Sequence, residues 1–300
     1  MKKLILVLSS AVALSFGAGP ALALVIGTDV GAMPATTLTN AVLAPASGLS
    51  VVAGSQTYQG NATFPQSGTY TGFNLAPSSG STPTLTLPNG ILLTSGHSNL
   101  PLTNTVNNFS NGIGAFTNSG SNTALSTLSG VNTNDANVIG FQFTTDPGKT
   151  SVSARFVFGS DEFPTQTVTD IFGFFVDGVN YAKFPSGELI SNTPGNPTNF
   201  ITNTVGGDLY GIEYNGLTRV FEVVGLLDPT LTTHTILFGV ADTSDTIWDS
   251  GVFIAGLTAG TATGGGIGNP GDPSAIPEPI SLLLFGVGLA GLGFSRRRRA

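Results

Sequence analysis

Short apolar runs with a period of two determine which fold this chain can adopt. Between residues 152 and 158, apolar side chains occupy every second position, which predicts a strand with one buried and one wetter face. Ile171–Val176 is apolar on both faces, as expected of a strand covered on both sides. Residues 24–257 show no long period of 3.6. The pattern therefore predicts an all-β chain, an antiparallel β-sandwich or jelly roll.

The core can be predicted from the same alternation. The chain has twenty Phe and no Cys, so apolar burial or bound metal must stabilise it instead of disulfides. The predicted core residues are Phe141, Phe143, Phe156, Phe158, Phe172, Phe174, Ile236 and Phe238. Asp177-Gly178 predicts a hairpin turn, residues 124–128 predict a short helix, and residues 24–80 predict short strands and loops.

The amino terminus has the parts of a secretory signal. Lys2 and Lys3 supply the positive charge, an apolar stretch follows, and Ala21 and Ala23 provide the small residues of a cleavage site. We predict a signal helix over residues 1–23 that is removed after export.

A second targeting segment closes the sequence. Residues 258–276 are rich in Gly and Pro and predict an irregular linker. The apolar run 280–294 is shorter than the ~20 residues that usually span a membrane. Four arginines follow it and favour a short membrane helix with its carboxyl end in the cytoplasm. The flanking residues are Pro277, Glu278 and Pro279 before the run, and Arg296, Arg297, Arg298 and Arg299 after it.

This tail, residues 277–300, resembles the PEP-CTERM sorting signal of Gram-negative bacteria. The similarity lies in the Pro-Glu-Pro triplet, the short apolar helix with glycines, and the terminal arginine cluster. It implies that the secretion machinery exports the chain and that exosortase, a membrane transpeptidase-like enzyme, removes the tail near the triplet. The protein would be anchored transiently in the inner membrane and would then reach the cell surface or extracellular matrix. An ordinary carboxyl-terminal anchor is the alternative.

The charge of the domain excludes one class of partner. Residues 24–276 contain four basic and sixteen acidic residues, a net charge of −12. A nucleic acid needs a basic surface to neutralise its phosphates, so a nucleic-acid partner is excluded. The same charge permits cation binding and favours solubility.

Several stretches between residues 48 and 257 resemble the choice-of-anchor L domain. They are Leu87–Gly96 (LPNGILLTSG), Thr133–Asp135 (TND), Phe156–Pro164 (FVFGSDEFP), Asp170–Phe175 (DIFGFF), Ile212–Thr218 (IEYNGLT), and Val240–Asp242 (VAD) with Asp249-Ser250. The resemblance implies an extracellular domain that is combined with variable anchoring signals and has no established molecular activity. The chain departs from the family pattern at Phe163, where Tyr is common, and at Thr169, where Asn is frequent.

Carboxylates are the candidate chemistry of the domain. One loop is bracketed by Asp161, Glu162 and Asp170, and another holds Asp242, Asp245 and Asp249. Calcium takes six to eight oxygens, and crowded carboxylates need a cation to offset their repulsion. These six residues therefore predict a structural calcium site. The alternative of solvated turn acids stays open, because the sequence has no EF-hand or nonapeptide repeat.

Enzyme signals are weak. No Gly-x-Ser-x-Gly or His-Glu-x-x-His motif is present. A carboxylate pair such as Asp161 and Asp245 is compatible with glycoside hydrolysis if the separation is suitable. Trp248 has two open roles, stacking on a sugar ring or packing under its own loop.

Three functions follow from these observations. The first is a secreted or surface-displayed, non-enzymatic β-sandwich with a structural, adhesive or exopolysaccharide-matrix role. The second is a calcium-dependent carbohydrate-binding module. The third is a glycoside hydrolase that uses the carboxylates.

Overall fold

A computed structural model describes residues 23–28, 34–61, 63–78, 82–107, 119–164, 170–191, 199–206 and 210–268. The elements of the first half are β1 (Val25–Gly27), α1 (Ala35–Val42), β2 (Leu49–Val51), β3 (Thr57–Gln59), β4 (Ser67–Thr71), β5 (Asn74–Leu75), β6 (Leu85–Thr86), β7 (Gly90–Thr94), α2 (Thr123–Ser129) and β8 (Thr133–Thr145). Those of the second half are β9 (Ser151–Ser160), β10 (Ile171–Val176), β11 (Val179–Asn180), β12 (Ile190–Ser191), β13 (Phe200–Thr202), β14 (Gly216–Thr218), β15 (Phe221–Leu226), β16 (His234–Thr243), β17 (Ser250–Gly260) and β18 (Gly266–Gly268).

Two antiparallel sheets form the domain. The first has the strand order β1-β4-β7-β17-β9-β14-β13, with β15 beside the first half of β9 and β18 beside β15. The second has the order β11-β10-β16-β8-β2, with β12 on β10 and β3 on β8, while β5 and β6 form a separate ladder. The predicted all-β, antiparallel, sandwich-like fold is confirmed.

The main core lies between the two sheets. Phe156 of β9 packs across to Phe172 of β10 with ring centroids 5.2 Å apart, and Phe174 packs on Phe238 at 5.3 Å. The eight predicted core residues are all at most 3 % exposed and belong to this one cluster. The alternation of apolar residues therefore identifies the inward faces of both sheets correctly.

Further apolar layers cover the outer faces of the sheets. On the first sheet, Val157 and Phe253 pack in a second cluster with Phe73 and Tyr214. On the second sheet, α2 places Leu125 in a third cluster with residues of β8, β10 and β16. These outer layers explain why β10 is apolar on both faces.

The predicted helix and hairpin are confirmed. Helix α2 begins after Asn122, whose side-chain Oδ1 accepts from the backbone N–H of Ala124 at 3.0 Å, and it ends at Gly130 with φ +78°. The turn between β10 and β11 has Asp177 at φ +48° and Gly178 at φ +80°, the two positive φ angles that a tight hairpin requires.

Helix α1 is a difference from the prediction of strands and loops for residues 24–80. Its sequence, ATTLTNAV, has a low helix propensity because it contains three threonines and a terminal valine. The local sequence therefore does not predict this helix. Leu38 and Val42 are fully buried in the main core. Tertiary packing, rather than propensity, stabilises this helix.

The carboxyl-terminal boundary also needs correction. The sequence predicts a linker from residue 258, but β17 continues to Gly260 and β18 pairs with β15. Ile267 of β18 is 2 % exposed within the main core. This single apolar side chain between two glycines adds a strand to the sheet, so the folded domain includes residue 268.

The predicted targeting segments lie largely outside the described residues. Ala21 and the tail from residue 277 to residue 300, with its triplet and arginines, belong to that undescribed part, whereas Ala23 is described and exposed. Within the ranges given above, no helix combines the length and apolar character needed to cross a bilayer.

Candidate functional site

Most of the carboxylates predicted from the sequence lie at one end of the sandwich, where the two sheets come together. In the first sheet, Ser160 at the end of β9 pairs with Ser250 at the start of β17. In the second sheet, Ile171 at the start of β10 pairs with Ala241 near the end of β16. The adjoining residues Asp135, Glu162, Asp170, Asp242 and Asp249 are here called the carboxylate cluster.

The cluster is buried, and the described residues place no salt bridge from Lys or Arg on it. Asp170 and Asp242 are 0 % exposed, and Asp249, the most accessible member, is 9 % exposed. In the described part of the chain, His234 Nδ1 pairs with Asp177 Oδ2 at 2.8 Å, at the other end of β16. No described Lys or Arg therefore forms a salt bridge with the cluster. Buried carboxylates in such a setting are costly to ionise.

Asp170 illustrates this cost. Complete burial raises its pKa well above the ordinary value, and the charges of Asp242, Glu162 and, more weakly, Asp249 raise that pKa further. The Ser250 hydroxyl lowers the pKa of Asp170 but does not offset the other effects. The backbone N–H of Asp170 donates to Glu162 Oε2 at 3.2 Å, which ties the loop after β9 to the start of β10.

The carboxyl group of Asp242, at the end of β16, is also costly to ionise. Burial raises its pKa well above the ordinary value, and the charges of Asp249, Asp135 and Glu162 add to the shift. The Ser95 hydroxyl is close enough to lower the pKa of Asp242 in part. Neither carboxylate oxygen of Asp242, however, has a hydrogen-bond partner of proper geometry among the described residues. This side chain is thus incompletely satisfied inside the domain.

Asp161 follows β9 of the first sheet and forms hydrogen bonds beside the cluster. Its Oδ1 accepts from the backbone N–H of Asn215 at 3.2 Å, and Asn215 Nδ2 donates to the Asp161 carbonyl at 2.7 Å. The backbone N–H of Asp161 donates to the Asp249 carbonyl at 3.1 Å. These bonds fix the segments that follow β9 and precede β17 against each other.

Tyr214 brings a further oxygen to this end of the sandwich. Its ring lies over two glycines that pair across β9 and β17: a Cβ on Gly159 would be 2.5 Å from the ring, and one on Gly251 would be 2.1 Å from the hydroxyl. Tyr214 is completely buried, and its hydroxyl has no hydrogen-bond partner among the described residues. Burial and the charges of Asp161, Asp249 and Asp170 raise its pKa well above 10.0.

A third glycine, Gly96, makes room for a carboxylate. A Cβ at this position would lie 1.9 Å from Asp249 Oδ2, so the carboxylate of Asp249 rests directly against the Gly96 backbone. The sequence prediction does not assign Asp135, Tyr214 or Gly96 to the site. The stretches containing these three residues show only a family resemblance, and nothing in their local pattern indicates burial beside the acids.

Asp245 and Trp248 lie in the loop between β16 and β17. Asp245 is half-buried, and its Oδ1 accepts from the backbone N–H of Ile247 at 3.3 Å. It is not among the charges that act on Asp170 or Asp242. Trp248 is half-buried. Its φ is +63° and that of Ser244 is +73°, and such positive values are uncommon for residues other than glycine.

Two cavities of the described domain lie away from the cluster. One of about 590 Å³ lies on the outer face of the second sheet between α2 and residues such as Gln142 and Phe175. Another of about 660 Å³ lies at the opposite end, beside Asp146 and His234. Within the described residues, no three Asp, Glu or His side chains already converge as a preformed metal centre.

The raised pKa values predict an unusual pH dependence of stability in the presence of a chelator. The pKa values of Asp170 and Asp242 are higher in the folded state than in the unfolded chain, where an Asp loses its proton at about pH 4. The contribution of these two groups to the free energy of unfolding is therefore greatest below about pH 4. It falls as the pH rises toward the folded-state pKa values.

We therefore expect Asp242→Asn to gain stability relative to the wild-type protein between pH 5 and pH 8. Thermal unfolding of both proteins in EDTA, measured across this range, gives the difference directly. A difference that does not change with pH would show that Asp242 is not held protonated by its surroundings.

The comparisons with known protein families give two matches. The sequence model of the Choice-of-anchor L domain matches residues 32–258, and that of the PEP-CTERM protein-sorting motif matches residues 275–299. No curated protein and no solved structure shows a significant similarity to the chain. The first match includes every member of the carboxylate cluster.

Proposed function

Because this chain belongs to the choice-of-anchor L domain family and carries a PEP-CTERM sorting motif, we propose that it is a non-enzymatic component of the bacterial surface or exopolysaccharide matrix. The motif marks an exported protein that exosortase sorts. The observation that carries the proposal is the pairing of the two matches, residues 32–258 and 275–299, on one chain. Between them they include the whole β-sandwich apart from its terminal strands.

The burial of the carboxylates supports a non-enzymatic role. A glycoside hydrolase needs two carboxyl groups that flank the scissile bond and are open to the substrate. Asp161 is only 2 % exposed, and its Oδ1 is already bonded to the Asn215 backbone. Neither Asp161 nor Asp245 lines the cavities described above. A structural role explains the burial of Asp161 better than contact with a substrate does.

Processing of the tail is the first test. If exosortase cleaves near the triplet, mass spectrometry of the protein from its native cells should find no peptide beyond about residue 280. Replacing the triplet (Pro277→Ala, Glu278→Ala and Pro279→Ala together) should leave an uncleaved precursor in the membrane fraction. Recovery of the arginine-containing tail from the mature wild-type protein would contradict this sorting route.

The matrix role needs a separate test. Cells that lack the protein should form a matrix with reduced mass or cohesion, and the wild-type gene should restore it. The triplet variant serves as the matched control, because its folded domain is intact but should not be released. If the triplet variant restored the matrix fully, the matrix role would not depend on sorting by exosortase.

A carbohydrate-binding role is the second candidate, and the half-buried position of Trp248 favours it. An indole that is partly open to solvent, next to the carboxylate cluster, is a suitable surface for stacking a sugar ring. Glycan-array binding with and without EDTA tests this role, with Trp248→Ala as the variant that should lose binding. An array without signal, or binding that persists in Trp248→Ala, would leave the structural role.

A further inference from the structure

We propose that the carboxylate cluster is a calcium site that joins the two sheets at this end of the sandwich, with Asp170 and Asp242 as its central ligands. Glu162 and Asp249 would supply further carboxylate oxygens from the segments next to β9 and β17. The proposal goes beyond the surface or matrix role and does not depend on it.

Two buried oxygen groups point to a bound cation. Asp242 is 0 % exposed, and neither of its carboxylate oxygens has a hydrogen-bond partner of proper geometry among the described residues. The Tyr214 hydroxyl is also fully buried without such a partner, and three of the nearby carboxylates act on it electrostatically. Native proteins rarely leave buried polar atoms unsatisfied, and coordination of an ion satisfies oxygen atoms that lack a hydrogen-bond donor.

The charge of the surroundings leads to the same conclusion. Five acidic side chains from both sheets lie at this end of the sandwich, and no described Lys or Arg forms a salt bridge with them. Without a cation, the chain must either keep several of these groups protonated or tolerate their mutual repulsion. A divalent ion removes both costs. It also links strand ends that belong to different sheets.

Calcium fits better than magnesium. Calcium accepts six to eight oxygens in a flexible geometry, including carboxylates, carbonyls and water, whereas magnesium demands a nearly ideal octahedron. The five cluster residues lie in β8 and β16 and beside β9, β10 and β17, and they do not form a metal centre in the described structure. They would therefore have to move inward around the ion, which a flexible coordination sphere permits.

The test uses the mature protein, purified after export and stripped with EDTA. Calcium at about a hundredfold above its dissociation constant should raise the melting temperature by about 5–10 °C, and an equal concentration of magnesium should raise it less. Calorimetry should find one calcium ion per chain. Trp248 is the only tryptophan and lies next to Asp249, so its fluorescence should change during the same titration.

Variants locate the site. Asp170→Asn and Asp242→Asn should each abolish most of the calcium-induced rise while leaving the melting temperature in EDTA equal or higher. Asp146→Asn removes an exposed carboxylate outside the cluster, and Asp245→Asn removes one from the loop that contains Trp248. Both of these control variants should keep the full rise.

Three results would overturn the proposal. One is a wild-type protein whose melting temperature does not change with calcium and whose calorimetric titration produces no heat. This result can be interpreted without any variant. Another is a rise that Asp245→Asn abolishes but Asp242→Asn preserves, because the ion would then bind in the loop. The third is Asp242→Asn stabilising the protein in EDTA while calcium has no effect, which would mean that the buried acids simply hold protons.

Discussion

Truncation of Phe158 to alanine should lower the free energy of unfolding by about 3–5 kcal/mol. Phe158 lies on the inward face of β9, is 0 % exposed, and meets Phe200 edge-on with ring centroids 6.1 Å apart. Its backbone N–H donates to Thr218 Oγ1 at 3.0 Å, so the strand cannot easily shift to fill the cavity. Urea unfolding followed by circular dichroism measures the loss.

Phe64→Ala is the matched control for this substitution. Phe64 is 38 % exposed and outside the three apolar clusters, so its truncation should cost much less. Equal losses in the two variants would show that Phe158 does not hold the core together. A circular dichroism spectrum dominated by helix would contradict the fold itself.

The sequence predicts those parts of the fold that depend on local patterns. Alternation in β9 and the doubly apolar run in β10 are direct consequences of facing one or two apolar layers. Helix α1 and strand β18 have no such signal. Leu38 and Ile267 each contribute to the core from a segment whose own sequence favours a loop, so their structure depends on contacts with distant strands.

The candidate site is predictable only in part for the same reason. The concentration of acids around β9, β10 and β17 is visible in the sequence, because the rest of the domain has few charges. Pairing between strands is not visible, and it decides that Asp135 acts on Asp242 and that Asp245 does not. Nor does the sequence reveal that glycines far apart along the chain leave room for Tyr214 and Asp249.

The close fit of Tyr214 leads to the second large effect, on substitution of Gly159 by alanine. The added methyl group would lie 2.5 Å from the Tyr214 ring, closer than real Cβ contacts allow. Tyr214 is completely buried and cannot move outward without opening the apolar layer on the first sheet. We expect a loss of about 1–3 kcal/mol or more, as for other overpacked cores, measured by urea unfolding.

A double-mutant cycle separates this clash from any general intolerance of β9 to alanine. Tyr214→Ala removes the ring, so the methyl group of Gly159→Ala should then cost little, and the two substitutions should show a strong positive coupling. Gly148→Ala serves as a control for the loss of a glycine with positive φ in an open turn, where nothing lies within 4 Å of the added Cβ. Its cost should be the same with and without Tyr214, because it arises from backbone strain alone. If Gly159→Ala behaves like Gly148→Ala, with no dependence on Tyr214, then the ring does not rest on this glycine. Tyr214 would in that case lose its fixed position beside the carboxylates.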